Sequence, residues 1–414
     1  MCQQSLPEKD NTVPKTDVSL PPLSYTLFRA LLSVALIANV AVWMQNVAAA
    51  WLMTSLSTSP LMVALIQTAI SLPAFFFGIP AGVLADRVDR RKLLLSIYVW
   101  MMLASTLLVV VVELDVVGPW SLLCLVFLSG IGSALTLPVL QASISDTVPG
   151  ASLLPAITLN SIAYNTARAL GPALAGLIIA GVGVHAVFVL NLVLLLIVLL
   201  VLVFCYTTVA RPQPPNAAIS AVREGLVYVR NERLLHGYLL RVIAFTGCAS
   251  SLWAMLPLIS KLVVDGEGSY GYLLSSLGFG SVIGGFSLSW LRTRCADLDS
   301  LLSLSTILFA VSMLVVAWIP PLPVMYVMLI LGGMAWINFT SPINAAFQGG
   351  LPAWVMARAI AVFLLSFQVA MAVGGVIWGL VASVFGVTQA LSAAAIGMML
   401  SLLLARRYPT PGGQ

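Results

Sequence analysis

Two apolar runs, Leu61–Val83 and Leu93–Val112, flank the eleven residues GVLADRVDRRK (Gly82–Lys92), which hold six charges: Asp86, Arg87, Asp89, Arg90, Arg91 and Lys92. Each run is long enough to cross a bilayer as a helix, a task that takes about 20 apolar residues, so the charges must form a short loop at a membrane face. The rest of the chain agrees with this. Only 8% of its 414 residues are charged and 60% are hydrophobic, whereas a soluble domain carries roughly 25% charged residues. The apolar runs are uninterrupted over some twenty residues, unlike the roughly ten-residue alternating segments of a membrane β-barrel. The expected fold is therefore an all-α membrane protein.

Twelve runs can span: 26–53, 60–84, 93–112, 119–142, 153–181, 184–205, 236–263, 268–291, 300–319, 322–346, 355–383 and 386–405. The polar start, with Glu8, Asp10 and Asp17, has no basic segment feeding an apolar core, so no cleavable signal peptide is expected. Placing the Gly82–Lys92 loop in the cytoplasm puts every one of the 19 Lys and Arg residues inside except Lys261 and Arg168, and puts Glu113, Asp115, Asp265 and Glu267 outside. That distribution obeys the positive-inside rule with both termini cytoplasmic, and the +5 net charge then reflects membrane orientation rather than nucleic-acid binding. Cys2, Cys124, Cys205, Cys248 and Cys295 lack metal-ligand spacing and read as free thiols.

The long polar stretch from Thr207 to His236 divides six spans from six. The expected units are a tail (1–25), a six-helix bundle (26–206), a linker (207–235), a second bundle (236–406) and a tail (407–414). Within the linker, Ile219, Val222, Leu226 and Val229 recur at helical spacing, as in an amphipathic helix on the inner surface or, alternatively, a solvated connector. WLRTRCADLD (Trp290–Asp299) follows the eighth span as Gly82–Lys92 follows the second. Two related halves imply a pseudo-symmetric transporter with its site at the midplane.

Spans 3, 6, 9 and 12 are nearly pure hydrocarbon and read as lipid-facing, while polar residues collect elsewhere and should face an interior or cavity. They are Asn39, Gln45 and Asn46 in span 1, Gln141 in span 4, Asn160, Asn165 and Arg168 in span 5, Asn338 and Asn344 in span 10, and Gln368 in span 11. Asn39, Trp43 and Asn46 share one helix face, as do Ser161, Asn165 and Arg168. Arg168 is the most informative of these: an Arg at the centre of a span costs about 2.5–3.5 kcal/mol even on the lenient insertion scale, so it needs a partner. That partner is an anionic substrate or coupling carboxylate, or else carbonyls and amides of neighbouring helices. Among Trp43, Trp253, Trp336 and Trp378, we single out Trp43 and Trp336 as candidates to stack on cargo. The small residues Gly171, Pro172 and Gly176, with Gly280 and Gly284, predict that spans 5 and 8 pack across the halves.

Gly82, Leu84, Ala85, Asp86, Arg87, Arg90, Arg91 and Lys92 resemble the loop 2–3 signature of the major facilitator superfamily, with Asp89 in place of its second glycine. Gly171–Gly176 resembles the helix-5 motif of drug:proton antiporters, with Ala175 in place of a glycine. Trp43–Leu52, Leu159–Gly176 and Pro352–Gly375 are similar to the branch that contains the enterobactin exporter, the transmembrane secretion effectors. The resemblance implies alternating access, proton antiport, and outward movement of siderophores, drugs or similar metabolites across a bacterial inner membrane. It also implies a latch in which Asp86 and Arg87 hold an acid at the end of helix 4, here Asp146; Asp89 and Arg90 complete that charge cluster. A siderophore exporter is the first reading and a multidrug or macrolide-type efflux pump the second; an importer and a non-transport protein rank lower. No Walker loop or intramembrane His/Glu/Asp cluster suggests an enzyme, a metal or a bound cofactor. The expected partners are a small molecule and the lipid bilayer, with a monomeric chain and the proton gradient as energy source, although no span holds a central carboxylate to carry the proton.

Overall fold

Proline and glycine mark where the helices begin and turn. Pro60, Pro119 and Pro323 occupy first-turn positions, where a missing N–H costs nothing. Asp89 and Asp297 cap two more helices by accepting from the Lys92 and Ser300 amides. Gly183 (φ 101°) and Gly386 (φ 95°) each join two helices at the same place in the two halves, in a backbone region that glycine tolerates best.

The computed structural model describes residues 21–206, 226–263, 269–295, 297–352 and 355–408, with the side chains at 79, 82, 83, 85–87, 145, 151, 356, 357, 405 and 406 excepted. The principal helices are α1 (Thr26–Leu56), α2 (Pro60–Arg87), α3 (Arg90–Glu113), α4 (Pro119–Thr147), α5 (Gly150–Val182), α6 (Val184–Cys205), α7 (Arg233–Val263), α8 (Ser269–Arg294), α9 (Leu298–Ala317), α10 (Leu322–Gly349), α11 (Met356–Phe385) and α12 (Val387–Leu400), with short turns of helix at Pro22–Ser24 and Leu402–Arg407. Among the described residues, twelve helical spans are long and apolar enough to cross a membrane, the last of them running from Val387 to Leu404, as expected. Several outlast their apolar runs, because hydropathy reports the bilayer and not where helical hydrogen bonding stops. Of the predicted linker helix, residues 226–231 are helical with Val229 buried; Ile219 and Val222 lie outside the described residues.

Packing repeats from one half to the other. In the first half α1 packs on α5 and α6, α2 on α4, and α3 on α4 and α6. In the second, α7 packs on α11 and α12, α8 on α10, and α9 on α10 and α12. The two principal contacts between halves, α2 on α11 and α5 on α8, exchange under the same relation.

Among the described residues, the polar and close backbone contacts between the halves gather towards one end. Thr68 Oγ1 donates to the Ala372 carbonyl at 2.9 Å, Lys261 Nζ donates to the Thr54 carbonyl at 2.8 Å, and Gly271 lies directly on the backbone of Gly176. All are at or towards the end opposite the Gly82–Lys92 loop. There one hydrophobic core runs through both halves, joining Met44, Leu52, Leu122 and Phe188 to Leu256, Phe309 and Met398. At the basic end the first half keeps a separate core around Phe28, Leu94, Tyr98, Val139 and Leu202. Among the described residues, the core that both halves share therefore lies towards the end opposite the basic loop.

Two sequence expectations need correction. Gly280 and Gly284 face α10, against Ile330, Met334 and Ile337 of their own half, and it is Gly271 and Gly278 that meet α5 at Gly176 and Ala169. Both pairs are glycines at helical spacing, so composition alone did not identify which face crosses the halves. Asn191, on the hydrocarbon-rich α6, points inward: its Nδ2 donates to the Ala41 carbonyl at 2.7 Å, and its Oδ1 accepts from Ser105 at 2.9 Å. Gln45 joins this network, its Oε1 3.2 Å from the Ser105 hydroxyl, and so faces the interior of the first half as expected, tying α1 to α3.

Candidate functional site

Close packing of α1 on α5 sets the position of Arg168. Gly171 sits 3.3 Å from the Val40 carbonyl and 2.6 Å from Trp43 Cβ, measured from where its own Cβ would be, so any side chain there would push the helices apart. Arg168 lies one turn before Gly171 and comes level with the Trp43 ring. From the other half, Trp336 on α10 is held by an aromatic cluster: Trp253 at 4.5 Å, Phe245 and Phe367 at 5.8 Å, and Phe309 at 6.0 Å between ring centres. α8 completes the junction, with Gly278 against Ala169 and the Arg168 carbonyl.

The Arg168 guanidinium carbon lies 6.0 Å from the Trp43 ring and 5.5 Å from the Trp336 ring, within cation–π reach of one indole from each half. Its Nη2 is buried and has no hydrogen-bond partner. A buried charged donor left unpaired costs more than the 1–3 kcal/mol typical of a neutral group, and two indoles offset only part of that. Among the described residues no acid pairs with it, and the sequence contains no Asp or Glu between Asp146 and Glu224, or anywhere after Asp299. The site is a fixed cation at the junction of both halves with an unused donor edge.

The other predicted substrate contacts divide into three groups. Asn39 and Asn165 are partly exposed, each with its Nδ2 donating to its own helix, to Ala35 at 2.6 Å and Ser161 at 2.8 Å. Asn46 and Gln368 are partly buried on α1 and α11. Asn338 is buried with an unpartnered Oδ1, but two positions from Trp336 it stands on the far side of α10. Trp378 is structural, its Nε1 donating to the Gly247 carbonyl at 2.8 Å, and Trp253 packs within the aromatic cluster.

At the basic end Arg90 pairs with Asp146 and also donates to the Ala142 carbonyl, with both charged side chains at most 10% exposed. Asp89 caps α3. Asp86 and Arg87 lie outside the described side chains. The Arg90–Asp146 pair joins α3 to α4 within one half. A second buried pair, Arg241–Asp299 at 2.6 Å, joins α7 to α9 in the other. Sequence reading placed Arg241 only as an inner-face charge, and the acid in the first turn of α9 was the available sign of its partner.

Comparison with known proteins fits this architecture. The sequence model of the family described as transmembrane secretion effector matches residues 17–414. The chain is 29% identical over 185 residues to the MFS-type transporter YfiS of Bacillus subtilis, covering 44% of this chain and 43% of YfiS. It is 20% identical to the staphyloferrin A transporter of Staphylococcus aureus over 84% of this chain and 88% of that protein, and 24% identical to macrolide efflux protein A of Streptococcus pyogenes over 52% and 55%. Thus it matches about half the length of two of these relatives. A mutant of the nucleoside transporter NupG superposes with a TM-score of 0.78 at 11% identity, covering 92% of this chain and all of NupG. A bacterial homologue of the human lysosomal transporter Spinster, inward-facing and occupied, gives 0.74 at 14%, covering 94% and 97%. These structural likenesses establish the shared fold.

Proposed function

The chain belongs to the transmembrane secretion effector family of major facilitator transporters, and from that premise we propose that it exports a small anionic metabolite of the siderophore class across a bacterial inner membrane. The observation that carries this reading is Arg168, a cation between the halves with a buried, unpartnered Nη2. A negatively charged cargo satisfies that donor and relieves the cost of holding the charge inside the membrane. With the basic end in the cytoplasm, as the positive-inside rule orients it, the end at which the first half keeps its own core faces inward and would load cargo from the cell. Rocking of the halves would break the α2–α11 and α5–α8 contacts and release cargo outward, with proton antiport as the energy source. The staphyloferrin A transporter, similar over most of the chain, supports the cargo class.

Macrolide-type efflux is the second reading, supported by the similarity to macrolide efflux protein A and by the aromatic cluster around Trp336. Arg168 weighs against it, because a lipophilic cation would meet a like charge in a low-dielectric site. Comparing metabolites secreted by a deletion strain and its parent under iron limitation tests the proposal. Loss of an anionic chelator from the medium is expected; an unchanged set of secreted chelators, with new macrolide sensitivity, would favour the second reading.

A further inference from the structure

Arg168 sets the sign of the cargo, and the groups around it restrict its shape. We infer that this site recognises an aryl anion: a planar ring seated against the indoles of Trp43 and Trp336, bearing a carboxylate or similar oxyanion that meets the Arg168 guanidinium edge. The inference rests on the reading of Arg168 as a cargo contact and specifies the chemical group it receives.

Three observations carry it. First, a guanidinium donates in its own plane, and carboxylates match that fork with two parallel hydrogen bonds; Nη2, one arm of the fork, has no protein partner. Second, the amides of Asn39 and Asn165 each give one of their two N–H groups to their own helix, and being neutral they donate more weakly than the charged Arg168 guanidinium. Third, the wall beside the charge is aromatic. Behind Trp336 stand Trp253, Phe245, Phe309 and Phe367, which fix the indole in place, and an indole favours offset or edge-on ring contacts over a hydrated inorganic anion. Because Trp43 belongs to one half and Trp336 to the other, and the guanidinium lies close to both, a ring seated beside the guanidinium against either indole would have an affinity that depends on the separation of the halves.

The test uses the purified full chain in lipid nanodiscs and equilibrium dialysis with radiolabelled benzoate. Competitors of similar size separate charge from ring: benzyl alcohol is the neutral ring, benzylamine the cationic ring, and cyclohexanecarboxylate the anion without aromaticity. Saturable benzoate binding is expected, with benzyl alcohol and benzylamine weaker by roughly ten-fold or more, the scale of one charge-assisted hydrogen bond. Cyclohexanecarboxylate should be weaker by several-fold. Arg168→Gln should equalise benzoate and benzyl alcohol, while Arg168→Lys should keep part of the preference for the anion. Absence of saturable benzoate binding, a ranking blind to charge, or benzylamine binding most tightly would each overturn the inference. Benzoate binding without any secretion defect in the deletion strain would leave it standing and refute the export reading; the reverse pattern would refute only the inference.

Discussion

Arg168 on α5 and Trp336 on α10 belong to different halves, yet the guanidinium carbon lies only 5.5 Å from the indole ring. Their contact is held from behind by close packing on each side, Gly171 on Trp43 in one half and Trp336 on Trp253 in the other. Packed side chains of this kind move in discrete steps rather than deforming continuously. Any rocking of the halves must therefore either carry the pair along or break it, which couples the charge at the site to the state of the carrier.

The α5–α8 contact has no room for side chains. A Cβ on Gly271 would overlap the Gly176 backbone, and one on Gly278 would come within 2.9 Å of Ala169 Cα. Gly271→Val should force the helices apart at the closed end at a cost of about 1–3 kcal/mol, and so raise the population open to that side. Labelling of cysteines introduced along α5 near Gly176 by a membrane-impermeant thiol reagent should speed up in the variant; unchanged labelling would count against this contact as the closing element.

Arg90 and Asp146 form a buried ion pair, and removing one partner leaves the other charge uncompensated, typically a loss of about 3–5 kcal/mol. Asp146→Asn should lower the melting temperature far more than Asp89→Ala, which removes a helix cap worth about 1 kcal/mol. Thermal unfolding of the two variants in detergent gives the comparison, and equal losses would contradict the assignment of Asp146 as the paired acid.

Lys261 donates to the Thr54 carbonyl in the last turn of α1, where the helix dipole also favours a cation. It is exposed, so Lys261→Met should barely change stability but should weaken closure at that end by less than about ten-fold. Cross-linking between cysteines placed on α1 and α7 near these residues should decrease in the variant. A large loss of folded protein instead would show that the lysine is structural.

The spans and their order were legible because bilayer thickness and the cost of buried charge act directly on composition. The α5–α8 pairing was also legible, from small residues in both helices. Which glycines form it was not: Gly280 and Gly284 are as regularly spaced as Gly271 and Gly278, and only helix rotation separates the face on α10 from the face on α5. The sequence likewise marked Arg168 as anomalous without indicating that Trp43 and Trp336, 293 positions apart, would meet around it. The inward direction of Asn191 was not legible, because a single amide in a hydrocarbon helix gives no sign of where it points and its contact with Ala41 comes from the tertiary packing of α1 on α6.

The central claim is that Arg168 is the cargo-binding charge of an exporter. Its most direct test is secretion by a deletion strain carrying the wild-type chain, Arg168→Lys or Arg168→Ala at equal membrane levels under iron limitation. The wild-type chain should restore the missing anionic metabolite to the medium, Arg168→Lys should restore it partly, and Arg168→Ala should reduce it by ten-fold or more, the scale of a lost charge-assisted contact. Full restoration by Arg168→Ala would contradict the account.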